Sequence, residues 1–463
     1  MGTLDKVKGL VENPPKEYRS APFWGWNDRL QKENLGEQIE GFKKAGMGGF
    51  FIHSREGLET EYLSTEWMED VKFCVDKARE NDLELWIYDE DKWPSGAAGG
   101  KVSRVNPAEF TARALTMECG KAGELAVPAK LSNEEERTVT GDSDSIMCGG
   151  NRSTDENFMS GRNGSEDLAV EETMETEFLQ GVYVIQTAAD GRFIKRMKEY
   201  LTYEEAAGAC GVDEEILLLR QEISGKSEWY NGLMPPDNLN PESVKTFLKL
   251  THEHYEEVFG GSFPKEVKGF FTDEPNCCDF FSVFHEGRPW IPWSIGFTEY
   301  FIEKRGYDPQ EKLPYLFFDG EGAEKIRHDY WKTVAQRFEE SYMKQVYEWC
   351  DKRGLRTTGH ILYENDLGYQ TRVCGAAMPQ LRYLHNPGID LLGAQTDEYL
   401  TVKQCASVAH QYERSMTISE AYGCTGWELD FSTQKWLGDW QFALGITLSL
   451  IHISEPTRRT PIS

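Results

Sequence analysis

Short apolar runs that end in polar side chains alternate along this chain with amphipathic stretches of helical period, and that alternation narrows the possible folds more than any other feature. The first run, Pro22-Phe23-Trp24-Gly25-Trp26, ends at Asn27-Asp28. A helix is expected from Gln31 to Lys44, with Leu35, Ile39 and Phe42 on one face and Gly46, Gly48 and Gly49 ending it. The second run, Gly49-Phe50-Phe51-Ile52, delivers His53, Ser54 and Arg55. Ser64 and Thr65 are candidate N-caps of a helix from Glu66 to Glu80, after which Leu83 to Tyr88 leads into Asp89-Glu90-Asp91. Strand, polar residues, helix, repeated in this order, predicts an α/β chain built as a (β/α)8 TIM barrel with its site at the carboxyl ends of the strands.

Between Glu109 and Tyr230 the pattern breaks into Gly-, Ser- and acid-rich sequence, with Gly181-Val182-Tyr183-Val184-Ile185 as the clearest strand. This is expected to be an inserted mostly-β subdomain. The pattern resumes at Asn240-Pro241, a cap followed by proline at the first helical position. Further strands are expected at Val267 to Thr272, Leu355 to His360, Gly388 to Leu392 and Met416 to Glu420, with helices at Ile326 to Lys352, Thr401 to Tyr412 and Gln434 to Leu444. The expected organisation is barrel over 1–108, insertion over 109–236, barrel over 237–447 and a non-native tail over 448–463. On that reading the chain is truncated before or within its eighth strand, and a barrel with an open edge is expected to be unstable.

The net charge of −28 over 463 residues disfavours phosphate backbones and anionic lipid surfaces, so neither nucleic acid nor a membrane is an expected partner. A neutral glycoside or oligosaccharide fits better. The first residues carry no apolar segment of signal-peptide type, no run reaches the length of a membrane span, and the cysteines form no CxxC pair, so a cytoplasmic protein without structural disulfides is expected. Nothing in the sequence bears on oligomeric state.

The chemistry concentrates at strand ends. Phe270-Phe271-Thr272-Asp273-Glu274-Pro275 drives an apolar strand into two carboxylates, and Met416-Thr417-Ile418-Ser419-Glu420 ends a later strand in another. Counting places Glu274 on the fourth strand and Glu420 on the seventh, roughly opposite, where one protonated and one ionised carboxyl could flank a glycosidic bond. Glu364 competes with Glu420 as the second carboxylate. Taken singly, such acids more often solvate a surface. Trp24, Trp26, Trp93, Tyr363, Tyr422 and Trp427 lie at or just beyond strand ends and would stack on sugar faces, while Asn27, His53, Arg55, Asp89, Glu90, Asp273 and His360 suit hydroxyl recognition. His252 and His254, two apart on a helix, point to different faces, and no HExxH, GxGxxG or Walker sequence is present. No cofactor is required by the sequence. Calcium is the one ion the Asp89-Glu90-Asp91 cluster would suit, against the commoner role of a solvated or sugar-binding loop.

The blocks PFWGWNDRL, AGMGGFFIHSREGL, YLSTEWMEDVKFCVDKARE, LWIYDEDKWPSGAAGG, FFTDEP, GHILYENDLGYQ, NPGIDLLG and SEAYGCTGWELDF resemble successive segments of a group of bacterial glycoside hydrolases related to the family 106 α-L-rhamnosidases. The resemblance spans about residues 20–110 and 230–447. It implies a (β/α)8 catalytic barrel, an acid at Glu274 with its partner among the later glutamates, calcium near the sugar, and a terminal sugar, α-L-rhamnose among the candidates, cleaved from plant or host glycans. The competing expectations are a non-catalytic carbohydrate-binding barrel and an inactive fragment.

Overall fold

A computed structural model describes residues 3–125, 177–278, 287–425 and 429–454. Its strands, in chain order, are β1 (Ala21–Trp26), β2 (Gly49–Ser54), β3 (Glu84–Tyr88), β4 (Arg113–Gly120), β5 (Glu177–Thr187), β6 (Ile194–Tyr200), β7 (Glu215–Ile223), β8 (Val267–Asp273), β9 (Trp290–Trp293), β10 (Arg356–His360), β11 (Asn386–Asp390), β12 (Ile418–Ala421) and β13 (Leu448–Ser454). Two sheets result. One is parallel and runs β1-β13-β12-β11-β10-β8-β3-β2 until it closes on itself; the other is antiparallel, in the order β6-β5-β7-β4-β9.

Local chemistry explains the elements around the parallel sheet. The helix Thr65–Asn81 opens where the Ser64 hydroxyl accepts the Trp67 N–H and stops at Asp82 in the left-handed region, with Val71, Cys74, Val75 and Ala78 buried on one face. Pro241–Leu248 starts as expected, the Asn240 side chain capping Glu242. Inside the sheet, Phe23, Phe51, Trp86, Tyr88, Phe271 and Ile418 form their own core. Each aromatic side chain so buried contributes about 1.5–3 kcal/mol. Gly359, at φ 141°, lets β10 approach β8: a Cβ there would stand 1.9 Å from the Thr272 carbonyl oxygen.

Three expectations need correction. The gap expected beside the first strand is filled, because the backbone of β13 pairs in parallel with both β12 and β1. Thr447 and Thr417 steer it there, Thr417 N donating to Thr447 Oγ1 at 2.8 Å and Leu448 N to the Thr417 carbonyl at 3.0 Å, and the Leu450-Ile451-His452-Ile453 run has the β-branched composition of a strand. The antiparallel sheet, expected within 109–236, takes its last strand, β9, from beyond β8, where it pairs with β4. Trp290-Ile291-Pro292-Trp293 carried no alternation long enough to mark it. The third correction concerns Trp24 and Trp26. Both are fully buried on the helix-facing side of β1, Trp24 donating to Gln38 Oε1 at 2.9 Å and Trp26 packing edge-on against Trp67, so neither is a sugar platform. Alternation along the strand turns Phe23 inward and its neighbours outward.

Among the described residues no helix is long and apolar enough to cross a membrane.

Candidate active site

Strand register brings the acids together. His360 is level with Asp273 across β10 and β8, and Asp390 is level with Glu420 across β11 and β12. The fourth and seventh strands of the parallel sheet are separated by the fifth and sixth, β10 and β11, so His360 bridges them. Its Nε2 stands 3.0 Å from Glu420 Oε2 and 3.4 Å from Asp273 Oδ1. Tyr88 donates its hydroxyl to Asp273 Oδ2 at 2.7 Å, and Ser95 Oγ accepts the Asp273 N–H at 2.8 Å. His53 packs between Phe23 and Tyr88, its ring tilted by 30° and 41° to theirs, with ring centroids 4.4 and 4.0 Å away.

Glu274 follows directly, its backbone at φ 72° in the left-handed region that a glutamate adopts at a cost of about 1–3 kcal/mol. One donor atom each from Asp273, Glu274 and His360 lies within 4.8 Å of the others, close enough to hold a metal ion. Burial, then the Asp273 charge, pushes the Glu274 carboxyl up to about 8 against the pull of His360. Burial raises Asp273 to about 6, with His360 opposing. For His360 itself burial favours the neutral ring, but the hydrogen bond to Glu420 and the charges of Asp273 and Asp390 outweigh it and raise its pKa well above the ordinary value. A charged imidazolium at His360 donates its Nε2 proton toward Glu420 Oε2. The site therefore sets a carboxyl raised to about 8 in the same cavity as a second carboxyl held by a histidine.

The remaining expected residues divide sharply. Arg55, Trp93, Asp273, Glu274, Tyr363, Glu364 and Glu420 line one cavity of about 530 Å³. Glu364 is tied down within it, accepting the backbone N–H groups of Ile361 at 3.3 Å and Asp390 at 3.0 Å, and burial raises it to about 7. Glu90 is not a sugar ligand: fully buried, it accepts the backbone N–H groups of Asp91, Gly96, Ala97, Ala98 and Gly99 at 2.5–3.1 Å. Asp89, also fully buried, accepts from Ser95 Oγ at 2.6 Å, and Asp91 takes Ser54 Oγ and Asn231 Nδ2, both at 2.9 Å. Glu90 thus spends both oxygens on its own loop, and none of Asp89, Glu90 and Asp91 is among the residues lining the cavity that holds Glu274 and Glu420. Asn27 is outside the cavity lining, and Tyr422 turns away to donate to the Gln434 carbonyl at 3.0 Å. Trp427 and the Gly- and Ser-rich part of the insertion lie outside the described residues. Asp390 was missed, although it ends the NPGID run as Glu420 ends its own; the same strand-end rule would have found it.

Burial of carboxyls has a consequence for stability. Glu274, Asp273, Asp237, Glu364 and Glu90 all titrate higher in the folded chain than in the unfolded one, at about 8, 6, 6, 7 and 7. The folded state then holds protons that the unfolded state has lost, so stability falls as pH rises from about 4 to about 8. Depressed groups such as Asp329, near 2, lose their contribution only below that window. Calorimetric scans at constant ionic strength are expected to show the highest Tm near pH 5 and a decline toward pH 8; a Tm that climbs over this range would contradict the protonation pattern.

No family model matches the chain. It is 20% identical over 97% of its length to a protein of Formosa agariphila described as "Putative beta-glucuronidase". In structure it is similar to the rhamnosidase from Novosphingobium sp. PP1Y, with a TM-score of 0.62, 15% identity and 97% of this chain covered, a likeness of fold. The chain spans 38% of the first relative's length and 56% of the second's.

Proposed function

We propose that this chain is the catalytic barrel of a glycoside hydrolase acting on a terminal sugar, with α-L-rhamnose the first candidate. The single observation that carries the reading is the pairing of a carboxyl raised to about 8 with a second carboxylate held by a charged histidine in one cavity. The fold shared with a rhamnosidase and the distant likeness to a protein described as a glucuronidase point the same way. The (β/α)8 TIM-barrel reading is part of the proposal, since it is the carboxyl ends of such strands that gather a site of this kind.

In this mechanism Glu274 is the general acid, donating its proton to the leaving oxygen as the bond to the anomeric carbon breaks. Glu420 is the ionised partner, attacking that carbon or activating water, and His360 holds its carboxylate in place. Glu364 positions the loop after β10 rather than reacting, because both of its oxygens already accept backbone N–H groups. Trp93 and Tyr363 form the walls against which a sugar face would rest. Calcium takes oxygen ligands, and in this mechanism Glu274 carries a proton and His360 is an imidazolium bonded to Glu420, so the Asp273, Glu274 and His360 group does not suit that ion.

Release of nitrophenol from 4-nitrophenyl α-L-rhamnopyranoside and a panel of other aryl glycosides tests the reading; turnover of none of them would overturn it. The acid must carry its proton, so kcat/KM is expected to fall as pH rises through about 8. Asp273→Asn removes a charge that raises the Glu274 pKa, and that alkaline limb should move to lower pH. A limb that stays in place would show that another group sets it.

A further inference from the structure

The wall of the same cavity formed by the end of β11 and its connection to the helix Leu400–Gln411 carries polar atoms without a hydrogen-bond partner among the described residues. Glu398 uses one oxygen, Oε1, to accept the N–H groups of Leu400 and Thr401 and so caps the helix. Its other oxygen, Oε2, is buried with no hydrogen-bond partner among the described residues, as are Thr401 Oγ1 and Asp390 Oδ1. All three residues line the cavity, and Glu364 joins them by accepting the Asp390 N–H. A buried acceptor left unpaired costs about 1–3 kcal/mol, and three in one wall mark a surface complementary to incoming donors.

The chemistry of those donors is constrained by charge. The cavity is lined by Asp273, Glu274, Glu364, Asp390, Glu398 and Glu420, with Arg55 as a cation at its edge. A sulfate or uronate group placed against this wall would meet the Glu398 side chain and could offer it no proton. A sugar hydroxyl donates one hydrogen bond and accepts another, which suits Glu398 and Thr401 together. We infer that Glu398 Oε2, Thr401 Oγ1 and Asp390 Oδ1 form a hydroxyl-recognition subsite that selects a neutral saccharide unit with two adjacent free hydroxyls. The inference rests on the glycosidase reading and names the substrate class of that site.

Two nearly isosteric variants test it. Glu398→Gln keeps the capping oxygen and turns the other position into a donor; Thr401→Val removes only the hydroxyl, and Thr401→Ser returns it. With the aryl glycoside that the wild type hydrolyses, each of the first two variants should raise KM about tenfold with little change in kcat, and Thr401→Ser should restore it. Monodeoxy analogues of that glycoside should lose about the same factor on the wild type at one of the adjacent positions, and lose nothing further on the variant that lacks the matching group. Unchanged KM and unchanged response to the deoxy analogues would overturn the subsite. So would activity that chelation abolishes and calcium restores in the wild type but not in Glu398→Gln, since the acceptors would then serve a cation. If the wild type hydrolyses no glycoside, the functional reading fails by itself, and calorimetric titration with L-rhamnose, D-galactose and D-glucose decides the subsite. Binding weakened by Thr401→Val would support it, and no binding to the wild type would overturn it.

Discussion

Glu274→Gln should reduce hydrolysis of a glycoside with a poor leaving group by about 10²–10⁴-fold, the contribution of a positioned general acid. The loss should shrink as the leaving group becomes more acidic, because a nitrophenolate departs with little help from a proton. The fold should survive. Below about pH 8 Glu274 already carries its proton, so an uncharged amide of the same shape changes no charge there, and thermal stability should hold. Rates with a graded series of aryl glycosides, read beside a thermal melt, make the check. Equal activity of variant and wild type on the poorest leaving groups would remove Glu274 from the mechanism.

The largest structural effect is expected from Glu90→Ala. Five backbone N–H groups between Asp91 and Gly99 converge on that one carboxylate. Removing it strands buried donors at about 1–3 kcal/mol each, less whatever water enters the space, so a loss of several kcal/mol is expected. The same loop carries Trp93 into the cavity and Ser95 against the Asp273 backbone, so partial unfolding should also disorder the acid pair. Glu90→Gln should be milder yet still destabilising, since an amide keeps one acceptor oxygen. Urea unfolding of the two variants tests this order; a Glu90→Ala protein as stable as the wild type would mean that the loop finds other acceptors.

Glu90 also shows where reading the sequence misleads. Asp89-Glu90-Asp91 follows a strand as a catalytic acid would, and strand-end position was the criterion by which Glu274 was found. What separates the two is the glycine-rich segment Ser95-Gly96-Ala97-Ala98-Gly99-Gly100, which wraps back so that its N–H groups point at Glu90. Backbone direction in such a loop depends on distant contacts: Asn238 Nδ2, from far along the chain, bonds the Ser95 carbonyl at 3.3 Å. Trp24 and Trp26 mislead for a different reason. A run apolar on both faces, like Pro22 to Trp26, has no alternation from which to tell inside from outside.

The sequence by itself determined most of the strands and helices of the parallel sheet, though not β13, nor β9 of the antiparallel one, and put Asp273, Glu274, His360 and Glu420 at strand ends, because period, caps and glycine stops act over a few residues and need no partner. It also contained the strand-end Asp390, legible by the same rule. Only the tertiary structure decided which of those acids meet, which oxygens are already taken and which proton stays on Glu274. Those outcomes depend on register between β8, β10, β11 and β12 and on burial of like charges in one cavity, interactions between residues up to 147 apart (420 − 273) that no local pattern encodes.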